Sequence, residues 1–262
     1  MEKSVLIIGI MFALVFCACS RKSRNTIKQF VYEEKEFEYD EAGKKSVRDK
    51  KDVTVYIGHT QARKETVNSD DGHSFHETKI VGLSGGNNVC AVNIREYNAL
   101  NYKYCVKQYY NKNHSEIIKG YRSINKVEGN YTINGFQCEK LSVSYYGENG
   151  VAQQFHIYMT DKIRVRDRSN SKFLFPGFFE QYWKNDKGLE AAIHKFIVRV
   201  DYFQAPGRIA RSFELKSLNQ SVKDKGFFKL PQDCPVYANE NVPQRILMEK
   251  REEKGDSVLA KL

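Results

Sequence analysis

From Val53 to Leu218 the chain repeats one pattern: short runs of alternating apolar and polar side chains, closed by glycine, proline or asparagine. A period of two sends alternate side chains to opposite faces of an extended segment, so each run reads as a half-buried strand. Val53-Thr-Val55-Tyr-Ile57-Gly-His59 is the first, and Arg63 to Val67 continues the same sheet. Asp70-Asp-Gly72 marks a turn before Glu77 to Leu83, and Ser84-Gly85-Gly86-Asn87-Asn88 closes that strand. Val89 to Arg95 and Tyr102 to Tyr109 follow as a pair. Lys140 to Tyr146 and Gln153 to Asp161, joined by Gly147-Glu-Asn-Gly150, read as a hairpin with Phe155, Ile157 and Met159 on one face. Phe196 to Phe203 and Ile209 to Leu218, joined through Pro206-Gly207, read as another. About nine to eleven strands are too many to stay flat. The expected fold class is mainly β (α+β): a large curved antiparallel sheet or incomplete barrel with a few covering helices.

Three stretches break the pattern. Asn111 to Lys126 is polar, with Ile117, Ile118 and Tyr121 at helical spacing, and reads as a short helix or loop. Lys172-Phe-Leu-Phe-Pro-Gly-Phe-Phe-Glu-Gln-Tyr-Trp183 concentrates aromatic side chains around Pro176-Gly177 and reads as a core plug rather than a mobile lid. Gln244 to Leu262 is charged, with few apolar residues, and reads as a frayed helix or tail.

The N-terminus is of a different kind. After Lys3, a run of 14 apolar or small residues from Val5 to Ala18 is long enough for the core of an export signal. It is short of the ~20 residues a spanning helix needs. A small residue, Ala18, precedes Cys19, whereas Phe16 precedes Cys17, so Cys19 is the expected lipidation site. The segment resembles the lipobox of bacterial lipoproteins, with Phe16 in place of the usual leucine. The alternatives are an ordinary secretory signal cut nearby and an uncleaved anchor. A diacylglycerol on the Cys19 thiol and an acyl chain on its amine would give stable two-chain anchoring. The expected organisation is a signal peptide over 1–18, a lipid-anchored polar tether over 19–28, a β domain over 29–235, and a charged tail or helix over 236–262.

Removing residues 1–18 of the 262 leaves 244 residues and, because Glu2 and Lys3 cancel, the same net charge of +10. Lys and Arg are scattered, with small clusters at Arg164 to Arg168 and Arg208 to Arg211, and export takes the chain away from nucleic acid. Anionic surfaces, glycans or lipid head groups are the expected partners of that charge. Sixteen Tyr and 16 Phe beside five Pro suit strands rather than disorder.

Beyond the signal, Cys90, Cys105, Cys138 and Cys234 are an even set that an oxidising compartment would pair. Cys90 and Cys105 flank a hairpin and form the local candidate pair, leaving Cys138 with Cys234. Yet Cys90 shares its face with Val92 and Ile94, and Cys105 shares its own with Lys103 and Lys107, so all three connectivities stay open. Close Cys-x-x-Cys ligand pairs are absent, and His73, His76 and His59 read as exposed loop residues, so no metal is expected. No phosphate-binding glycine loop, nucleophile elbow or H-E-x-x-H motif occurs, and nothing in the sequence brings Asp161 to Asp201. No catalytic residue, no cofactor and no enzymatic activity are expected.

Thr132-Ile-Asn-Gly-Phe-Gln-Cys-Glu-Lys140, then Ile157-Tyr-Met-Thr-Asp-Lys-Ile163, then Phe175-Pro-Gly-Phe178 together resemble the GLPGLI-type envelope proteins and their relatives. Phe228-Lys-Leu-Pro231 resembles the closing segment of proteins with the half-barrel of outer-membrane lipoprotein carriers. Ile157 stands where that family has tryptophan. The resemblance spans roughly residues 30 to 232 and implies an incomplete antiparallel barrel with helices at its mouth, used in some members to hold acyl chains. The expectation is an outer-membrane lipoprotein of a Gram-negative envelope, facing the periplasm or the cell surface. Its curved sheet would bind a hydrophobic or amphipathic ligand through Phe155, Ile157, Met159, Phe175, Phe178, Val198 and Val200. The alternative expectation is a structural or interaction module that contacts envelope protein partners.

Overall fold

A computed structural model describes residues 26–70, 73–82, 88–111, 121–146, 152–164, 174–223 and 226–254. Cys17, Cys19, the tether up to residue 25, residues 112–120, the 147–150 turn, residues 165–173 and residues 255–262 lie outside it. The described strands are β1 (Thr26–Tyr39), β2 (Lys45–Ile57), β3 (Gln61–Asp70), β4 (His73–Gly82), β5 (Asn88–Tyr97) and β6 (Tyr102–Asn111). They continue with β7 (Tyr121–Ile133), β8 (Phe136–Tyr146), β9 (Ala152–Thr160), β10 (Phe196–Ala205), β11 (Arg208–Val222) and β12 (Val236–Tyr237). A 3-10 turn at Asn98–Leu100 between β5 and β6 and helices α1 (Gly177–Asn185), α2 (Lys187–Ala192) and α3 (Asn241–Glu253) complete the described elements.

All twelve strands belong to one sheet, in the order β12-β6-β5-β4-β3-β2-β1-β11-β10-β9-β8-β7. Two antiparallel meanders, β1–β6 and β7–β11, are joined where β1 pairs with β11 over Thr26↔Val222 to Glu36↔Arg211. Chain connectivity forces this sheet to curve. β6 and β7 are consecutive in sequence but ten strand spacings apart in the sheet, about 48 Å across a flat sheet at ~4.8 Å per strand. The nine residues between Asn111 and Tyr121 reach at most about 36 Å even when fully extended. Only a sheet rolled toward a barrel brings those two strands within reach.

The inner face carries the core. Phe30 and Tyr32 of β1, Val53 and Val55 of β2, Phe155, Ile157 and Met159 of β9, Val200 of β10 and Phe213 and Leu215 of β11 are all buried in one cluster. Its cover is the segment Leu174–Ile193. Pro176 stands at the N-cap of α1, whose Phe179 and Trp183 point into the sheet. Asp186 then caps α2 by accepting from the Gly188 and Leu189 amides at 2.9 and 3.1 Å. The aromatic run around Pro176-Gly177 is thus a plug built into the core. At the other end of the inner face, α3 lays Leu247 on Phe75, Tyr97, Tyr102 and Tyr104. The C-terminal segment is a docked helix through Glu253, and β12 within it pairs in parallel with β6.

Three expectations need correction. Residues 121–126, read as part of a helix or loop, are the start of edge strand β7. It pairs with β8 through a turn at Asn134-Gly135, both at positive φ (48° and 82°), which suits a type I′ hairpin. Strand β1 begins at Thr26, inside the segment read as tether. Cys105 bonds to Cys234, whereas Cys90 and Cys138 remain thiols. Cys90 and Cys105 do share the outer face, but the β5–β6 register sets Cys90 opposite Tyr109 and Cys105 opposite Ile94, four rungs away. Cys138 lies on β8, near the far edge of the sheet, while residues 231–235 run beside β6.

The Cys105–Cys234 bond closes a loop of 129 residues and ties β12 and α3 to the edge of the sheet. Replacing both cysteines by serine is expected to cost about 2–5 kcal/mol, read as a lower urea midpoint. Maleimide labelling of the unfolded, unreduced protein is expected to modify Cys90 and Cys138 and to spare Cys105 and Cys234.

Candidate ligand-binding site

Between the plug and the β1–β2–β11 wall lies a cleft lined by Phe30, Tyr32, Val55, Ile57, Leu174, Phe175, Trp183, Ile193, Phe196, Ile197 and Phe213, with Lys195 as its one charged residue. Each wall follows from strand alternation: Phe30 and Tyr32 face inward with Val53, Val55 and Ile57 across the Lys28↔Ile57 register. The rings lock together: Tyr32 stacks on Phe213 at 4.3 Å, Phe30 on Phe196 at 4.8 Å, and Phe175 meets Trp183 edge-on at 5.1 Å. The Tyr32 hydroxyl donates to the Ile197 carbonyl at 3.1 Å, and burial pushes its pKa up. The free space accommodates the centre of a water-sized sphere over about 30 Å³, enough for roughly two waters. The cleft is a narrow apolar seam rather than an open chamber.

Phe155, Ile157, Met159, Val198 and Val200 are fully buried beneath the plug. Ile157 sits opposite Val200, and Phe155 touches Phe179 and Tyr182 at 5.7 and 4.8 Å. Phe178, half-buried, lies beside Tyr202 at 6.2 Å. Of the seven residues expected to hold a ligand, Phe175 alone lines the cleft. The remaining wall is contributed by β1, β2, β11, the start of β10, Trp183 of α1, and Leu174, Ile193 and Lys195 from the segments beside the helices. Alternation at Val53, Val55 and Ile57 marks part of it, but no local signal in the sequence joins β1 to β11.

Polar contacts fix the plug. Lys79 of β4 gives two hydrogen bonds to Glu180 of α1, at 2.8 and 2.9 Å, and both side chains are buried. At the end of α1, Asp186 also accepts from Tyr145 at 2.9 Å and pairs with Arg122. Burial alone would raise the Asp186 pKa, but the Leu189 amide, Tyr145 and Arg122 together lower it.

The outer face is ionic. Glu33 is 6% exposed and is surrounded by Lys35, Lys50 and Lys216. Burial works against its charge, yet the three ammonium groups hold its pKa down at about 2. Asp201, held by Arg199 at 2.8 Å, has its pKa raised by burial. Ser142, His156 and Asp201 are cross-strand neighbours on β8, β9 and β10. They do not form a relay: Ser142 accepts from Gln154 at 3.2 Å, Asp201 pairs with Arg199, and the His156 ring lies against Phe203 at 4.4 Å. Asp161 is exposed at the far end of the same strands, so it forms no pair with Asp201. His59 and His76 are exposed, and among the described residues no three His, Cys, Asp or Glu side chains gather for a metal.

No family model matches the sequence, and no curated protein matches it. Similar solved structures include an uncharacterized conserved protein from Thermus thermophilus, 11% identical over 86% of this chain and 98% of that one, with a TM-score of 0.40. Another is the Pseudomonas aeruginosa MucA/MucB complex, 11% identical over 82% of this chain and 59% of the matched one, with a TM-score of 0.32. A third is a putative outer membrane lipoprotein-sorting protein domain from Vibrio parahaemolyticus, 10% identical over 81% and 94%, with a TM-score of 0.29. At such scores these likenesses carry no argument about function, which rests on the residues themselves.

Burial on Phe203, followed by the nearby charge of Lys140, lowers the His156 pKa from 6.5 to about 4. Between those values the unfolded chain binds the proton and the folded chain does not, so stability falls as pH drops through this window. The urea midpoint is expected to fall between about pH 6.5 and 4, less steeply in His156→Gln; equal slopes would remove His156 as the cause.

Proposed function

We propose that this chain is a lipid-anchored protein of a Gram-negative cell envelope, held through Cys19, whose curved sheet takes an apolar or amphipathic ligand without catalysis. The observation that carries the reading is the cleft itself: eleven of its twelve lining residues are apolar or aromatic, and its charged member, Lys195, sits where β10 begins. An apolar chain fits such a wall, and a charged end fits its rim. At rest the site is small, so the ligand enters by displacing the Leu174–Trp183 plug. That plug is held by the buried Lys79–Glu180 ion pair and, at the end of α1, by Asp186, which caps α2 and pairs with Arg122.

Membrane-extracted protein, after removal of its N-terminal lipid by proteolysis in the tether, is expected to carry a hydrophobic molecule detectable by native mass spectrometry and by solvent extraction. Protein that consistently carries none would overturn the ligand reading. Trp183→Ala removes the largest ring of the plug from the cleft wall. It is expected to cost about 3–5 kcal/mol of stability and to raise the fluorescence of an added apolar dye such as N-phenyl-1-naphthylamine. Destabilisation without added dye binding would mark the seam as core alone.

A second reading is an interaction module, for which edge strand β7 speaks. Among the described residues its outer edge has no strand neighbour, and an open edge accepts an added strand. Against it, the register of β7 breaks between Val127 and Tyr131, with Gly129 at φ 138°, and such a bulge blunts an edge.

A further inference from the structure

The two ends of the sheet differ in charge. At one end β1 begins, β2, β9 and β11 finish and β10 begins, as the pairs Lys28↔Ile57, Thr26↔Val222 and Phe196↔Thr160 show. Residues 226–230 lie at this end too, because the Phe228 ring packs against Gly58, just past β2. Among the described residues this end gathers Lys28, Lys162, Arg164, Lys195, Lys223 and Lys229. Its acidic residues include Asp161, Glu139 and Glu65, of which Glu139 is taken up by Lys195 and Glu65 by Arg63. The described hairpin tips at the opposite end are closer to balance, with Asp40 and Glu41 beside Lys44, Lys45 and Arg208.

Apolar side chains accompany the basic end. Leu230 is 39% exposed, and Phe227 and Phe228 are half-buried beside it. Lys223 lies over the rings of Tyr56 and Phe227 at 5.1 and 5.2 Å, so its charge stands on an aromatic base. The cleft residues Ile57, Lys195 and Phe196 are at this end as well. Cys19 precedes Thr26 by seven residues, a tether of about 25 Å at full stretch.

We propose that this end of the half-barrel docks on an anionic phospholipid bilayer, its basic rim on the head groups and Leu230 and Phe228 at the interface, with the cleft opening toward the membrane. The inference rests on the anchored reading above, and it adds an orientation and a lipid class. A short tether brings the start of β1 to the surface before any other part of the sheet. Basic residues near an anionic leaflet then add to each other, and mixed basic and apolar side chains are what an interfacial contact needs.

The test uses the mature lipidated protein in phosphatidylcholine vesicles with and without phosphatidylglycerol, followed by hydrogen exchange. Amides of 226–230 and 161–164 are expected to exchange several-fold more slowly on the anionic vesicles, with the tips at 40–44 and 206–207 unchanged. The triple variant Lys162→Gln, Arg164→Gln and Lys229→Gln alters three exposed side chains and is expected to keep the fold and lose that protection. Equal exchange on both vesicles, or protection at the opposite tips, would overturn the proposal. Failure of the anchored reading shows separately, as an intact mass without acyl groups. Co-sedimentation of that unanchored chain then decides: binding to anionic vesicles alone supports docking, and no binding overturns it. Recovery of a bound hydrophobe changes neither outcome.

Discussion

The pairing of β1 with β11 is the contact on which the rest of the architecture depends. Each meander alone has short hairpin links, but the two become one sheet only where strands from opposite ends of the chain meet. Glu36 and Arg211, which bond across that seam, are 175 residues apart. Both meanders contribute inner-face residues to a single cluster, so neither can bury its apolar side without the other. Contacts this distant in sequence close late and slowly. The seam is therefore reinforced on both faces: by Tyr32 stacked on Phe213 inside, and by Glu33 among Lys35, Lys50 and Lys216 outside.

Other ion pairs of β1, on its inner face, explain why the seam is hidden in the sequence. The hairpins 140–161 and 196–218 were legible because one of their faces is apolar and glycine or proline closes them. Strand β1 reads Thr-Ile-Lys-Gln-Phe-Val-Tyr-Glu-Glu-Lys-Glu-Phe-Glu-Tyr, and only its first half alternates visibly. Further along, Glu34 and Glu36 face inward and are satisfied by Lys51, Arg48 and Arg211 rather than by apolar neighbours. A strand stabilised by cross-strand ion pairs carries no hydrophobic period. Strand β7 is hidden for a related reason: at the margin of the core, its inward positions Arg122 and Lys126, opposite Tyr145 and Leu141, are charged and exposed, and Arg122 pairs with Asp186, so the apolar period is broken.

The site was partly legible in the same sense. Phe155, Ile157 and Met159 were rightly read as inward residues, and Phe175 as part of a plug. Inward is a weaker property than ligand-facing, because α1 covers the β8–β10 part of the inner face and leaves its seam against β1 and β2. The disulfide shows a related limit. Face parity along a strand follows from the sequence, but which rung sits opposite which is set by the hairpin register, and that register separates Cys90 from Cys105.

The filled inner face constrains how a ligand could enter. Displacing Leu174, Phe175, Phe179 and Trp183 exposes four buried side chains, at about 2 kcal/mol each, so roughly 8 kcal/mol must be offset. Twelve methylenes leaving water supply a similar amount, at about 0.8 kcal/mol each, whereas a small apolar molecule does not. A long acyl chain is thus the smallest common hydrophobe able to keep the plug out. The same chain drawn from a bilayer leaves no water behind, and its burial contributes almost nothing to the exchange. A membrane-derived ligand must then find the plug already weakened, or the plug must stay in hydrocarbon while it is out. An end of the barrel resting on the bilayer meets the second condition, since the displaced aromatic rings would lie in the interface rather than in water.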